Sequence, residues 1–243
     1  MFVIPMVGLS TRFFKAGYTL PKYQLPLWGA TVFTQVMRSF KNYYETDEFL
    51  FLCRDDHDAH TFISTEIKRL GLKNYRILSF EGETRGQAET VCIGMEDILD
   101  EIELFIFNID TIRPNFLKPD FLSSCDGYLE VFEGDGDHWS FVVPGEDNNV
   151  ISTTEKDRVS NFCSDGLYFF KKKSDLIESF RHSLAQSETI MGEFYVAPLY
   201  NYLISKSKIV KYHLISKTDV IFCGTPAEYL ALDPLRCNYS INI

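Results

Sequence analysis

Between positions 7 and 22 the chain reads VGLSTRFFKAGYTLPK, a stretch that holds the residue types needed to grip a polyphosphate. Arg12, Lys15 and Lys22 supply cations, and Ser10 and Thr11 supply hydroxyls. Gly8 and Gly17 are small enough to let backbone N–H groups approach an anion. A guanidinium takes phosphate oxygens two at a time through its planar fork, whereas a lysine ammonium acts as a point charge. A triphosphate, with several charges, calls for such a set. A second piece of chemistry lies at Asp110, which follows the apolar run at 104–107. A carboxylate at the carboxyl end of a strand faces the ligand crevice of an open α/β sheet. Mg²⁺ takes one or two carboxylates together with phosphate oxygens. The competing role for Asp110 is a cap or turn before Pro114.

The elements that must position these residues alternate along the first half. Short apolar runs at 2–6, 49–53, 75–79 and 104–108 read as strands. Helical spacing of apolar residues is visible at 31–44 and 87–99, and a helix to about Leu70 follows the second strand. Strands alternating with helices imply parallel pairing and a doubly wound sheet. The second half changes character, with short strands at 127–132, 139–143, 150–154, 166–170 and 208–213. Helices are expected at 174–184, in part of 192–205, and from Pro226 at a first turn. The GEDNN stretch at 145–149 is a turn signal. No repeat or linker divides the chain. One domain of residues 1–243 is expected, in two halves of different character at 1–125 and 126–243.

Composition narrows the class. The 45% hydrophobic and 24% charged content is that of a soluble globular protein, and 243 residues suffice for a sizeable core. A formal charge of −10 argues against sequence-independent nucleic-acid binding, which needs clustered Lys and Arg. A few cations converging in one cleft still permit anion binding. None of the cysteines at 53, 92, 125, 163, 223 and 237 forms a Cys-x-x-Cys pair, so a zinc site built on such knuckles is not expected. Cys53 and Cys92 lie in apolar runs and read as small buried hydrophobes. No apolar run is long enough to span a bilayer, and no leader-like segment precedes the first strand. A reduced, cytoplasmic protein without membrane contact is expected. Self-association into a homo-oligomer stays open.

The phosphate loop resembles the signature of sugar-1-phosphate nucleotidylyltransferases, Gly-Gly-x-Gly-Thr-Arg followed by Pro-Lys. Here it reads Val7-Gly8-Leu9-Ser10-Thr11-Arg12, then Pro21-Lys22, with Leu25-Pro26-Leu27 and Gly29 beyond. The resemblance continues in the family's order through Gly86-Gln87-Ala88, Asp110, Glu155-Lys156, Gly166-Leu167-Tyr168, Gly192-Glu193 and Cys223-Gly224-Thr225-Pro226. It implies a Rossmann-like nucleotidyltransferase fold of the glycosyltransferase A type: a mixed, mainly parallel sheet with a small β-hairpin region for the acceptor. It implies an enzyme that moves a nucleoside monophosphate from a triphosphate to a sugar-1-phosphate or similar phosphorylated small molecule. Short members include cytidylyltransferases, which favours CTP, and a role in surface-polysaccharide precursor synthesis.

By the same resemblance, Arg12 and Lys22 are catalytic. Met6, Gly8, Leu9, Ser10, Thr11, Lys15, Gly86 and Gln87 meet the nucleotide. Glu155, Lys156, Gly166 and Glu193 meet the acceptor, and Asp110 binds Mg²⁺. Taken alone, Gly86-Gln87 is also an ordinary helix start, and Glu155-Lys156 an ordinary solvated pair. One departure stands out. Where many relatives carry a second metal-binding aspartate, two residues before the late glycine, this chain has Phe222. Asp219 substitutes only with a local rearrangement. The site would then rely on Asp110 and phosphates alone or recruit Glu193 or Asp165. The remaining reading is a catalytically weak or inactive binding protein. Two further stretches imitate metal sites. DDHDAH at 55–60 sits at a helix start, where aspartates cap, and EGDGDH at 133–138 lacks the spacing and final Glu of a calcium loop.

Overall fold

The runs FVI at 2–4, FLFLC at 49–53 and LFIF at 104–107 are apolar at every position, which suits strands covered on both faces. In the computed structural model, which describes residues 1–232, they form the centre of a nine-stranded sheet. Cys237 and the end of the second half lie outside the described residues. The strands are β1 (Phe2–Pro5), β2 (Phe49–Arg54), β3 (Tyr75–Phe80), β4 (Leu104–Phe107), β5 (Gly127–Glu133), β6 (Ser140–Pro144), β7 (Val150–Glu155), β8 (Phe162–Phe170) and β9 (Val210–Ile215).

The order is β3-β2-β1-β4-β8-β5-β9, parallel from β3 to β4. Beyond β4 the sheet is mixed: β8 is antiparallel to β4 and β5, and β9 is parallel to β5. The β6–β7 hairpin joins the start of β8 through Cys163 and Phe141. This is the doubly wound α/β architecture that the alternating elements imply. The chain winds outward from β1 to β3, then returns to place β4 on the other side of β1. A crevice opens at the carboxyl ends of β1 and β4, the topological switch point where such sheets bind ligands.

Alternation along the strands divides the core. Phe2, Ile4, Phe49, Phe51, Phe105 and Phe107 face the helices α2 (Val32–Arg38) and α3 (Ala59–Leu70), which follow the five-residue α1 (Thr11–Lys15). Val3, Leu50, Leu52, Leu104 and Ile106 face α4 (Gln87–Gly94), α5 (Lys173–Gln186) and α6 (Tyr200–Ser205). The Phe2 ring packs on Phe40, Phe49 and Phe105 at 4.8, 4.9 and 5.0 Å between centroids, so much of the aromatic content builds the core under the crevice. The last helix among the described residues is α7 (Pro226–Leu232), with Pro226 at its first position as expected.

Local chemistry moves several boundaries. The helix expected at 87–99 stops at Gly94, packed so tightly that a Cβ there would lie 2.5 Å from Leu52 Cδ2. The carbonyls of Met95 and Ile98 turn instead to the buried Lys173 ammonium. The strand expected at 166–170 begins at Phe162, because a bulge carries it past the polar Ser164 and Asp165. The helix expected at 31–44 ends at Arg38, its start capped by the Thr31 side chain, which accepts from Thr34 N. Asp58, at the start of α3, has left-handed φ of 52° and makes no side-chain cap. Among the described residues, no helix is long and apolar enough to cross a membrane. Cys53, Cys92, Cys125, Cys163 and Cys223 are free and buried.

Candidate active site

The loop after β1 keeps its cations out of the core by a tight turn into α1. Ser10 takes a left-handed conformation, φ 51°, and its carbonyl accepts from the amides of Phe13 and Phe14. Phe13 is buried, which anchors α1 and leaves Thr11 and Arg12 exposed. Among the described residues, the amides of Gly8, Leu9, Ser10 and Thr11 donate to no acceptor, and the Arg12 guanidinium makes no hydrogen bond or ion pair. A run of unused backbone donors beside an unpaired guanidinium suits an anion. The loop returns through Pro21 to Lys22, whose amide donates to Ser10 Oγ at 3.1 Å. This hydrogen bond ties the two ends of the loop together.

Lys22 and Asp110, 88 residues apart, form an ion pair through Nζ and Oδ2. A ribbon explains the placement of Asp110: residues Thr111–Ile112 pair antiparallel with Ile221–Phe222, which brings Cys223 opposite Asp110. The Asp110 carbonyl accepts from the Cys223 amide at 2.9 Å and its thiol at 3.1 Å. Burial, with Asp110 next in weight, pushes the Cys223 thiol well up, so it stays a donor. Gly224 lies against the carboxylate, where a Cβ would be 2.6 Å from Oδ2.

Across the cleft, β8 changes partners at its bulge. Gly166 has φ of 93°, and a Cβ there would stand 2.2 Å from Asn108 Nδ2. Asn108 Oδ1 in turn accepts from Gln87 Nε2 at 2.5 Å. Gly86, at the start of α4, is held against Phe194: Phe194 N donates to Arg85 O at 2.7 Å, and Ala88 N to Phe194 O at 3.0 Å. Glu193 and Tyr195 therefore reach the cleft from the segment that also braces the Gly86 turn. Lys156, with left-handed φ of 55°, donates to Tyr195 Oη at 2.5 Å. Burial first, and then Glu193, push the Tyr195 phenol up, which keeps it protonated. Glu155 is nearly buried and accepts from the Ser140 hydroxyl; burial raises its carboxyl.

A single cleft of about 620 Å³ is lined by Met6, Gly8, Leu9, Ser10, Thr11, Arg12, Lys22, Gly86, Gln87, Asp110, Glu155, Lys156, Gly166 and Glu193. Residues from both halves of the chain thus meet in one space. Lys15 does not line it. It faces an adjoining hollow of about 510 Å³ with Phe14, Arg54, Asp56 and His57. Asn108, Trp139, Tyr195, Thr225 and Glu228 also line the cleft, and sequence reasoning did not single them out as site residues. A signal existed for Asn108, two residues before Asp110 on the same strand end. One existed for Tyr195 too, in the Gly192-Glu193-Phe194-Tyr195 stretch that resembles the family's segment near the sugar, but nothing pointed to its link with Lys156, 39 residues away.

The metal question turns on Phe222. Its ring packs on Trp139 and Phe132 at 4.8 and 5.2 Å, so that side of Asp110 is aromatic. Asp219 is exposed and absent from the cleft lining; its carbonyl accepts from Arg113. Asp165 is buried beside Glu130, which the Arg113 guanidinium pairs from the other side. Burial and the Glu130 charge raise Asp165 well above the usual carboxylate range, leaving a neutral acid that is a poor ligand. Glu193 lines the cleft from the segment that braces the Gly86 turn. Among the described residues, no three His, Cys, Asp or Glu side chains gather to hold a metal. Asp110 alone fits a Mg²⁺ ion that brings phosphate oxygens as its other ligands. The DDHDAH stretch forms no metal group either: Asp56 pairs with Arg54 at 2.8 Å, and the His57 ring stacks on Phe14. EGDGDH, which reads in the sequence as a hairpin tip, is instead a loop, exposed apart from Gly134, between two strands that do not pair with each other: β5 pairs with β8 and β9, and β6 with β7 and β8.

No family model matches the chain, and no curated protein matches its sequence. Solved structures do. The inositol-1-phosphate CTP transferase of T. maritima superposes with a TM-score of 0.73 at 15% identity, covering 98% of this chain and 97% of that one. A UDP-glucose pyrophosphorylase complexed with UDP-glucose gives a TM-score of 0.71 at 14% identity, covering 97% of each chain. At such identities these two carry the fold alone. The nucleoside-diphosphate-sugar pyrophosphorylase of Vibrio cholerae RC9 is 47% identical over 96% of this chain and 99% of that one, with a TM-score of 0.91. That identity over nearly the full length of both chains establishes that the chain belongs to the nucleoside-diphosphate-sugar pyrophosphorylases, a family of nucleotidyltransferases.

Proposed function

We propose that this enzyme transfers a nucleoside monophosphate from a triphosphate to a sugar-1-phosphate, or a similar phosphorylated small molecule, and releases pyrophosphate. The observation that carries the reading is the meeting of the Arg12 loop, the Lys22–Asp110 pair and Lys156 in one cleft. An oxygen of the acceptor phosphate attacks the α-phosphorus in line. The bond from that phosphorus to the β-phosphate oxygen breaks, and pyrophosphate leaves. Positioning and charge stabilisation do most of the work in such a transfer.

Each residue has a place in this scheme. Arg12 and the free amides of Gly8 to Thr11 hold the β- and γ-phosphates. Lys22 steadies the α-phosphate. Gly86 and Gln87 border the base, and Met6 and Leu9 form the apolar floor beside it. Lys156 brings in the acceptor phosphate, while Glu155 and Glu193 take its hydroxyls. Lys15, outside the cleft, gives long-range attraction only. Asp110 would hold Mg²⁺, which neutralises charge on both substrates when bound.

CTP is the donor we favour, on resemblance to the short cytidylyltransferases, and a cytoplasmic step feeding surface-polysaccharide synthesis is the setting. Phe222 supports one other reading, a nucleotide- or sugar-phosphate-binding protein with little or no catalysis. Pyrophosphate release measured with CTP, UTP, dTTP, GTP and ATP against a set of sugar-1-phosphates separates the two. Turnover with one donor–acceptor pair supports the transferase. Saturable binding with no release across the whole set supports the other.

A further inference from the structure

We propose that Lys22 is the resident counter-ion of Asp110, so that a divalent cation does not load onto the protein alone and enters only with the triphosphate that draws Lys22 away. The inference rests on the metal-dependent transferase reading above. Both partners of the ion pair are about four-fifths buried, with side-chain exposures of 22% and 20%, so salt and water screen the pair weakly. Both are also held from behind. The Lys22 amide is tied to Ser10, and Asp110 is fixed by Cys223 and pressed by Gly224.

Charge arithmetic then decides what the empty cleft does. At this pair Asp110 contributes −1 and Lys22 +1, and Phe222 occupies the sequence position where many relatives carry a second aspartate. A divalent ion arriving alone meets one carboxylate that is already neutralised, and must push aside an ammonium of its own sign. A triphosphate changes both terms. Its oxygens give Lys22 another anion to hold, and they supply the ligands that the protein lacks. Metal and nucleotide therefore bind with positive coupling, and the coupling is reciprocal. Lys22 is thereby timed: it is released toward the α-phosphate only when the metal arrives with its substrate.

The test is Mn²⁺ binding to the intact protein, read as loss of the free-ion signal in electron paramagnetic resonance. Wild type, Lys22→Met, Lys22→Gln and Asp110→Asn are compared, first without nucleotide and then with each triphosphate, the acceptor withheld. Subtracting the Asp110→Asn signal isolates this site. Removing a unit charge a few ångströms from a divalent ion should tighten Mn²⁺ alone on the order of tenfold or more in Lys22→Met. Lys22→Gln, which keeps length and polarity, should do the same and guards against a folding defect in the first variant. In wild type, Mn²⁺ should bind at Asp110 only when a triphosphate is present. If wild type without nucleotide binds Mn²⁺ as tightly as both lysine variants, the counter-ion role is wrong and the transferase reading stands. If Asp110→Asn matches wild type even with every triphosphate, the metal assignment itself fails, and this inference with it.

Discussion

Gly166→Ala probes the point where the two halves of the site touch. The substitution puts a Cβ at φ of 93°, a region that costs a non-glycine residue about 1–2 kcal/mol. The new atom would also lie 2.2 Å from Asn108 Nδ2 and 2.7 Å from Asn108 Cγ, so the amide must turn away. Turning it gives up the Gln87–Asn108 hydrogen bond, worth about 0.5–1.5 kcal/mol. The combined loss is about 2–3 kcal/mol, which for a chain of this size lowers Tm by roughly 5–10 °C. The clash and the backbone strain are separable by a double-mutant cycle. In an Asn108→Ala background the amide clash and the Gln87 hydrogen bond are gone, leaving the strain and a tight 3.2 Å contact with the residue 108 Cβ, so Gly166→Ala should cost about 1 kcal/mol less there. Urea titrations of the four proteins give these energies, and kcat/KM for both substrates shows whether the Gln87 side of the cleft is disturbed. Equal costs in the two backgrounds would mean that Asn108 yields freely, and that the Gly166–Asn108–Gln87 contact does not position the site.

Other expectations follow from the same geometry. Arg12→Ala should lower kcat/KM by about a hundredfold or more, the scale of one preorganised donor at the developing charge, with its thermal melt unchanged. Turnover should require Mg²⁺ and be largely lost in Asp110→Asn; full activity in excess chelator would contradict this. Lys156→Ala should raise the acceptor KM on the order of thirtyfold while calorimetry finds nucleotide affinity little changed; the reverse pattern would move Lys156 into the triphosphate site. Asp165 holds its proton in the fold because burial and Glu130 raise it, so its contribution to stability is full below the ordinary aspartate pKa near 4 and is lost as pH rises toward the raised value. Asp165→Asn should therefore gain stability over wild type as pH rises above about 4, by up to ~1.4 kcal/mol per pH unit, and parallel curves would refute this.

The sequence discloses those parts of the fold and site whose signals are local. Apolar runs with both faces covered mark β1, β2 and β4. The loop from Gly8 to Lys22 carries its chemistry within sixteen residues. Asp110 is placed by the strand it follows. Less legible are features made by distant partners. Nothing in the sequence near Lys22 announces Asp110 as its counter-charge, and nothing near Lys156 announces Tyr195. The length of β8 is hidden because Ser164 and Asp165 interrupt its apolar run, yet both are buried, Asp165 beside Glu130. Lys15 reads as a phosphate ligand by proximity, but the helical turn of α1 directs it to the neighbouring hollow. The stop at Gly94 depends on Leu52 pressing from β2, a contact that helical periodicity does not encode.

The central claim, that the two halves of the cleft join two phosphates, is tested most directly by ³¹P NMR of the reaction mixture. With triphosphate, sugar-1-phosphate and Mg²⁺ all present, the account predicts a pair of coupled doublets from a new diphosphate diester, together with one equivalent of pyrophosphate. Omitting any one of the three should leave the spectrum of the starting materials. Release of pyrophosphate with free nucleoside monophosphate as the sole partner product, or an unchanged spectrum across all five triphosphates and the acceptor set, would contradict it.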